Sequence, residues 1–328
     1  MRKPLALVAV FLWMVGSAWS AGSGSGGGSY ALLQSPGESS SRKPARGPAK
    51  PVTIPVSVRV RGSKPEPELQ TIELAVTEDG QPQTVLSIRA MGTSPIMLEV
   101  LIQDDLVSSL SNEIKPIAEF IGNLPKGSRV LVGYVRTGTL EVRQKFTTDL
   151  EKAAKALRAP LGLASAAPFN PYIEVLEGIN RFESQPSGRR ALLLVSDGLD
   201  ISRGVDSSSP TQSVDLQRAI NQAQRRGAAV YAFYVPSITL AATNNQVLVG
   251  NAQSSLQRLS EETGGRAFFQ GTGPPVSFAP FLRDLNSSLG RQIALTYLST
   301  HPNKGFHRLE IRASLPGVEL EYPAGFTR

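Results

Sequence analysis

The spacing of hydrophobic positions changes character along the chain. From Val52, "VTIPVSVRVRG" alternates apolar and polar residues, the two-residue period of a half-buried strand. "TIELAVTEDGQPQTVLSIRAM" repeats that period on both sides of Glu78-Asp79-Gly80, and Asp-Gly is a strong hairpin-turn signal. Residues 52–92 therefore read as a small N-terminal β module. From residue 93, continuous apolar runs alternate with stretches of helical periodicity. "IMLEVLIQ" is a buried strand. "VSSLSNEIKPIAEFIGNL" follows as a helix with Leu110, Ile114, Ile117, Phe120 and Ile121 on one face. "SRVLVGYV" and "GTLEVRQKF" are strands. "TDLEKAAKALRA" is a helix with Thr148 or Asp149 near its start, and "NPYIEVLEGINRF" a helix opened by Asn170 as cap and Pro171 as first residue. "RRALLLVSDG" is a strand, "VDLQRAINQAQRRG" a helix stopped by Gly227, and "AAVYAFYV" a strand. "NAQSSLQRLSEETGG", "RAFFQ" and "FAPFLRDLNSSLG" add a helix, a short strand and a closing helix.

This order predicts an α/β fold over residues 93–290: a doubly wound, mostly parallel Rossmann-like sheet with helices on both faces. Residues 291–328 return to β patterning in "QIALTYLST", "HRLEIRAS" and "VELEYPAGF". Neither these strands nor the early ones suffice for a stable sheet alone, so the N- and C-terminal strands are expected to pair as one accessory β module.

The first 51 residues have no such pattern. Residues 1–20 carry Arg2 and Lys3, an apolar stretch from Leu5 to Val15, and the small-x-small end Ala18-Trp19-Ser20, which is the layout of a cleaved secretory signal peptide. Residues 21–51 are Gly, Ser, Pro and basic residues, a composition that buries no core and reads as a disordered linker. The expected location is periplasmic or secreted, with no integral membrane segment after cleavage. The chain has no cysteine, which excludes disulfides, thiolate metal sites and lipid attachment through cysteine.

Charge is informative mainly through its position. Of the net +7, Arg2 and Lys3 contribute two, and residues 21–51 contribute three through Arg42, Lys43, Arg46 and Lys50 against Glu38. The remainder is nearly balanced, which argues against an extended nucleic-acid-binding face.

Candidate chemistry sits at the strand ends. The first strand of the α/β region ends in Asp104-Asp105, and a later one in Asp197 with Asp200 close by. Such sheets bind ligands beyond the carboxyl ends of their strands, and clustered carboxylates call for a compensating cation. Oxygen ligands favour Mg²⁺, Ca²⁺ or Mn²⁺. The bland alternative is local: Asp105 caps a helix and Asp197 accepts backbone N–H groups in the turn at Gly198. The only two histidines, His301 and His307, fall in the tail β region and read as surface or strand-end residues. No Gly-x-Ser-x-Gly elbow, Gly-x-x-x-x-Gly-Lys loop or dinucleotide-binding Gly-x-Gly-x-x-Gly follows the first strand.

The layout resembles a von Willebrand factor type A domain, with "SDGLD" similar to that family's second metal-site segment. "VTEDGQPQTVLSI", "KFTTDLEKAAKAL" and "HRLEIRASLPGVELEYPAGF" are similar to segments of the von Willebrand factor A-related family of exported acidobacterial proteins. The resemblance implies a metal-ion-dependent adhesion site that begins Asp-x-Ser-x-Ser, and here that motif is degenerate. Read from Asp104, Ser108 is kept and Leu106 replaces the first serine. Read from Asp105, Ser109 is kept and Val107 interrupts. Aligned on strand length, Gln103 takes the Asp position and Asp105 the first Ser position. The implied ligands are Asp104 or Asp105, Ser108 and Asp197, with Asn170 near the family's Thr position. The resemblance therefore implies a non-enzymatic, adhesion-type protein that binds a protein or cell-envelope partner, with one divalent cation or none. Two other readings stay open: a metal-assisted hydrolase or phosphoryl-transfer enzyme at the same acidic crevice, and a structural envelope module that binds by strand addition.

Overall fold

The computed structural model describes residues 49–60, 72–186, 188–243, 245–301 and 303–327. The expected signal peptide, nearly all of the expected linker and the segment 61–71 lie outside the described residues. No helix among the described residues is long and apolar enough to cross a membrane.

The long apolar runs form the centre of a six-stranded sheet. Its strands are β4 (Ile96–Gln103), β5 (Arg129–Arg136), β6 (Thr139–Thr147), β7 (Arg189–Ser196), β8 (Ala228–Tyr234) and β9 (Ala267–Phe268), in the order β6-β5-β4-β7-β8-β9. Only β6 runs antiparallel to its neighbour. It follows β5 through a tight turn at Thr137-Gly138, and so short a connection permits nothing else. The other links pass through helices, which cover both faces. One face packs against α1 (Ile114–Gly122), α2 (Leu150–Lys155) and α7 (Ala279–Gly290) through Ile117, Phe120, Ala153, Leu282 and Leu285. The other packs against α3 (Pro171–Asn180), α4 (Val214–Arg226) and α6 (Gln246–Glu262) through Tyr172, Val175, Leu216, Ile220 and Leu256. Burial on both faces is the reason the interiors of β4, β7 and β8 are apolar, with Glu99 of β4 the exception.

Local caps follow the sequence. Asn170 Oδ1 accepts from Tyr172 N at the start of α3, and Asp149 Oδ1 from Lys152 N at the start of α2. Gly227 ends α4 with φ 61°. Three elements differ from expectation. The first helix begins as a 3₁₀ turn over Ser108–Glu113, so its α-helical part is shorter. A short helix, α5 (Ile238–Thr243), precedes α6. The last β segment divides into β12 (Val318–Glu321) and β13 (Gly325–Thr327).

The N- and C-terminal strands join as expected. β1 (Lys50–Val60), β2 (Leu74–Glu78), β3 (Gln81–Ala90), β10 (Gln292–Ser299) and β11 (Phe306–Ala313) complete a seven-stranded sheet ordered β12-β1-β10-β3-β2-β11-β13. β2 and β3 meet at a two-residue turn with Asp79 at φ 49° and Gly80 at φ 79°, both positive as a primed hairpin turn requires. The two edge strands, β12 and β13, are consecutive in the chain with only Tyr322, Pro323 and Ala324 between them. The sheet must therefore curl until its edges approach. Ile54, Val56, Val76, Leu295, Tyr297 and Ile311 fill its concave side.

The chain enters the α/β layer through residues 91–95 and leaves it at 290–292, and both passages meet at one point. A Cβ on Gly92 would lie 1.8 Å from Gly290 O, so only glycine lets the strands cross. Arg189, at the start of β7 and 4% exposed, holds the crossing. Its Nε donates to Gln292 Oε1 (2.8 Å), its Nη1 to Ser94 O (2.8 Å) and Gly92 O (3.3 Å), and its Nη2 to Leu289 O (2.6 Å). Removing the guanidinium strands those acceptors in the interior. Arg189→Met is expected to lower unfolding free energy by about 2–4 kcal/mol, and Gly92→Ala by about 3 kcal/mol, both read from urea denaturation midpoints. The exposed Arg312→Met is the control and should change it by less than about 0.5 kcal/mol.

Candidate functional site

The strand order reverses between β4 and β7, because β5 and β6 continue to one side and β8 and β9 to the other. β4 ends at Gln103 and β7 at Ser196, so Asp104, Asp105 and Asp197 all emerge at this switch point. Their surroundings differ sharply.

Asp104 is fully buried and paired with arginine. Arg158 Nη1 and Nη2 donate to its two oxygens at 2.6 and 2.9 Å, Arg136 Nε lies 3.4 Å away, and Leu161 N donates to Oδ1 at 3.0 Å. Arg158 is itself fixed. Its guanidinium stacks 3.9 Å from the Tyr134 ring centroid, and its backbone N–H and C=O both engage the Tyr134 hydroxyl at 2.6 Å. This carboxylate has its counter-charge.

Asp105 and Asp197 have none among the described residues. Gln103 Nε2 donates to Asp105 Oδ1 (2.8 Å). Gln103 Oε1 accepts from Ser196 Oγ (2.5 Å) and from Asp197 N (3.2 Å), which ties the ends of β4 and β7 together. Asp197 Oδ1 accepts from Leu199 N (3.0 Å), and Ser237 beside it favours the charged form. Burial, then the charge of Asp197, raises the Asp105 pKa to about 7. Burial also pushes Asp197 up, against those hydrogen bonds.

The two carboxylates line a crevice of about 260 Å³. Ser237 adds a hydroxyl, while Phe169, Leu199 and Leu240 contribute apolar wall. Phe169 and Val205 are largely exposed at its border. Of the five residues expected as ligands, the fold brings together Asp105 and Asp197. Asp104, Ser108 and Asn170 do not line the crevice. Ser108 is exposed in the 3₁₀ turn, and Asn170 is occupied at the α3 cap, where its Nδ2 also donates to Asp215 Oδ2 on α4 (2.8 Å). Leu106, at a serine position of the resembled motif, is fully buried in the core and bridges to Ser237 through its backbone. The crevice thus fits an oxygen-ligated divalent cation in part: two carboxylates, with the hydroxyls of Ser237, Thr239 and Thr243 also in the lining.

Sequence reasoning did not identify Ser237, Phe169 or the arginines on Asp104. Ser237 had a local signal, since its Oγ caps α5 by accepting from Leu240 N (3.2 Å), but a six-residue helix is too short to show periodicity. Arg158 lies 54 residues from Asp104 in sequence and had no local signal.

No family model matches the sequence, and no curated protein does. Solved structures similar to the chain include an aerotolerance-related membrane protein from Bacteroides fragilis (11% identity, 59% of this chain and 98% of the other, TM-score 0.40). BatB from Bacteroides thetaiotaomicron (12%, 59% and 97%, 0.39) and the SpRpn10 VWA domain (11%, 56% and 98%, 0.34) are also similar. At these values the likenesses say nothing about activity. The six-stranded sheet, with its third strand antiparallel and helices on both faces, has a von Willebrand factor A-like layout.

The raised Asp105 carboxyl has a stability consequence. Below pH about 4 the folded and unfolded states both hold the proton. Between about 4 and 7 the unfolded state releases it first, so stability falls as pH rises, and above about 7 the full deficit stands. Asp105→Asn removes the ionisation and keeps an acceptor for Gln103. It should raise stability by about 2–4 kcal/mol at pH 8. That gain should shrink to nothing near pH 4 when thermal unfolding is followed across the range.

Proposed function

We propose that this chain is a non-enzymatic binding protein of the exported, von Willebrand factor A-related kind, whose protein or envelope partner docks over the crevice between β4 and β7. One observation carries the reading. The switch point holds two buried carboxylates without a counter-charge among the described residues, and exposed apolar side chains border it. A partner that covers Phe169 and Val205 would bury apolar surface and bring its own charge to Asp105 and Asp197. A divalent cation at that point would be held by the same two carboxylates, with Ser237 in support, and would accept a carboxylate of the partner as a further ligand.

The strand-addition reading has less support. The sheet ends in two short edge strands joined by three residues, and Ala324 within that link donates its N–H to Glu262 O of α6. Such an arrangement offers little free edge to an added strand. The hydrolase reading could use Asp105 as its base, since a carboxylate raised to about 7 suits that role, but no feature of the crevice points to a scissile bond or a stabiliser for its transition state.

Phe169→Ser and Val205→Asp change exposed side chains and should leave the fold intact. Immobilised on a support and exposed to an envelope extract, the unaltered chain should retain at least one component that both variants release. An identical retained set would refute docking at this crevice. Calorimetric titration with Mg²⁺, Ca²⁺ and Mn²⁺ decides the cation. Heat that disappears in Asp197→Asn places the ion at the crevice, and no heat with any ion removes it from the mechanism.

A further inference from the structure

Far from the crevice, the curled sheet gathers the only two histidines of the chain with two carboxylates. Glu78 ends β2, Asp79 occupies its turn, His301 follows β10, and His307 is the second residue of β11. One potential ligand atom from each lies within 4.8 Å of all the others. We propose that Glu78, Asp79, His301 and His307 form a binding site for one zinc-class divalent cation, which fastens the β2–β3 turn to the loop after β10 and the start of β11.

Two of the separations match that ion. His301 Nδ1 lies 3.4 Å from Glu78 Oε1, and His307 Nδ1 lies 3.5 Å from the same oxygen. Ligands about 2.0–2.1 Å from a tetrahedral centre stand about 3.3–3.4 Å apart. The His307 Nδ1 to Asp79 Oδ2 contact, at 2.8 Å, is shorter and would open slightly around a metal.

Three of the four ligands are already oriented by a second group. His307 Nε2 donates to Asn303 O (2.9 Å), so in the neutral ring the Nδ1 lone pair faces the carboxylates. That arrangement, an imidazole N–H on a carbonyl with the other nitrogen free to ligate, is the usual support of a metal-bound histidine. Arg308 N donates to Asp79 Oδ1 (2.8 Å), and Ser299 Oγ to Glu78 Oε1 (2.9 Å). Glu78 supplies an independent sign. It is 0% exposed, and its Oε2 has no hydrogen-bond partner among the described residues. A buried carboxylate with one oxygen left so is costly, and a cation held at Oε1 would neutralise the group that bears it.

Charge and ligand type narrow the ion. Two carboxylates with two neutral imidazoles carry the charge a divalent ion cancels. Imidazole ligands argue against Mg²⁺ and Ca²⁺, which take oxygen, and a mixed nitrogen and oxygen set suits Zn²⁺. Asp79 is exposed while Glu78 and His307 are buried, so the ion would enter from the turn. The four residues span 78 to 307 in a chain with no cysteine. A bound ion would cross-link the β module where no disulfide can.

The competing arrangement is an imidazolium: His307 carrying both ring protons and pairing directly with Asp79. Metal-stripped full-length chain separates the two. Zn²⁺ should bind at one per chain by calorimetry and raise Tm by about 5 °C at saturation. Mg²⁺ and Ca²⁺ should do neither. Co²⁺ in place of Zn²⁺ should give the strong visible absorption of a four-coordinate site. His301→Gln and Asp79→Asn change a loop and a turn residue, and asparagine tolerates the positive φ at 79. Each should weaken Zn²⁺ binding at least tenfold, while Asp197→Asn at the crevice should leave it unchanged. Absence of Zn²⁺ binding, affinity in both site variants equal to that of the unaltered chain, or loss in Asp197→Asn would each overturn the assignment.

Discussion

The buried guanidinium of Arg189 holds together what would otherwise be two unrelated layers. The chain must leave the β module, build a six-stranded α/β layer, and return to the same module. Both passages run past the start of β7, and their carbonyls cannot pair with a sheet there. Arg189 supplies donors to Gly92, Ser94, Leu289 and the Gln292 side chain from one rigid fork, and Gly92 permits the backbone to pass against Gly290. Burial depresses its pKa and it has no acidic partner among the described residues, so the cation is held by neutral acceptors. Because the crossing fixes where β4 begins, it also sets where β4 ends, and hence where Asp105 meets Asp197.

The molecule treats its buried acids in three ways. Asp104 is neutralised by Arg158 and Arg136 and stiffens the loop after α2. Glu99, in the middle of β4, has no hydrogen-bond partner for either oxygen among the described residues, and burial pushes its pKa well up, against the charge of Arg181. Asp105 Oδ1 accepts from Gln103 and Asp197 Oδ1 from Leu199 N, and both carboxylates line a crevice. The contrast sets the crevice apart: two buried carboxylates share its lining without a counter-charge among the described residues. The proposed cation site at Glu78 lies at the other sheet, where imidazoles take part.

Much of the fold was legible because it depends on local periodicity. The runs at Ile96–Gln103 and Arg189–Ser196 could only be strands buried on both faces, and Asn170-Pro171 and Gly227 marked helix ends that the structure reproduces. Asp-Gly at 79–80 named its turn. The misses have local causes too. The division of the last segment at Tyr322–Ala324 reflects pairing with two different strands, β1 and β11, which no period encodes. α5 was too short to be seen.

The candidate site was legible only in outline. Strand ends told where carboxylates would gather, and the sequence alone determined the α/β order and the β tail. It could not say that Asp104 would turn to arginine, that Ser108 would stay at the surface, or that Asn170 would be used up in a cap. Nor could it show His307 to be buried beside Glu78, since the two stand 229 positions apart and each reads locally as an ordinary strand residue. Secondary structure follows from neighbours within a few residues. The pairing of charges depends on which distant segments the sheets bring side by side, and only the tertiary fold decides that.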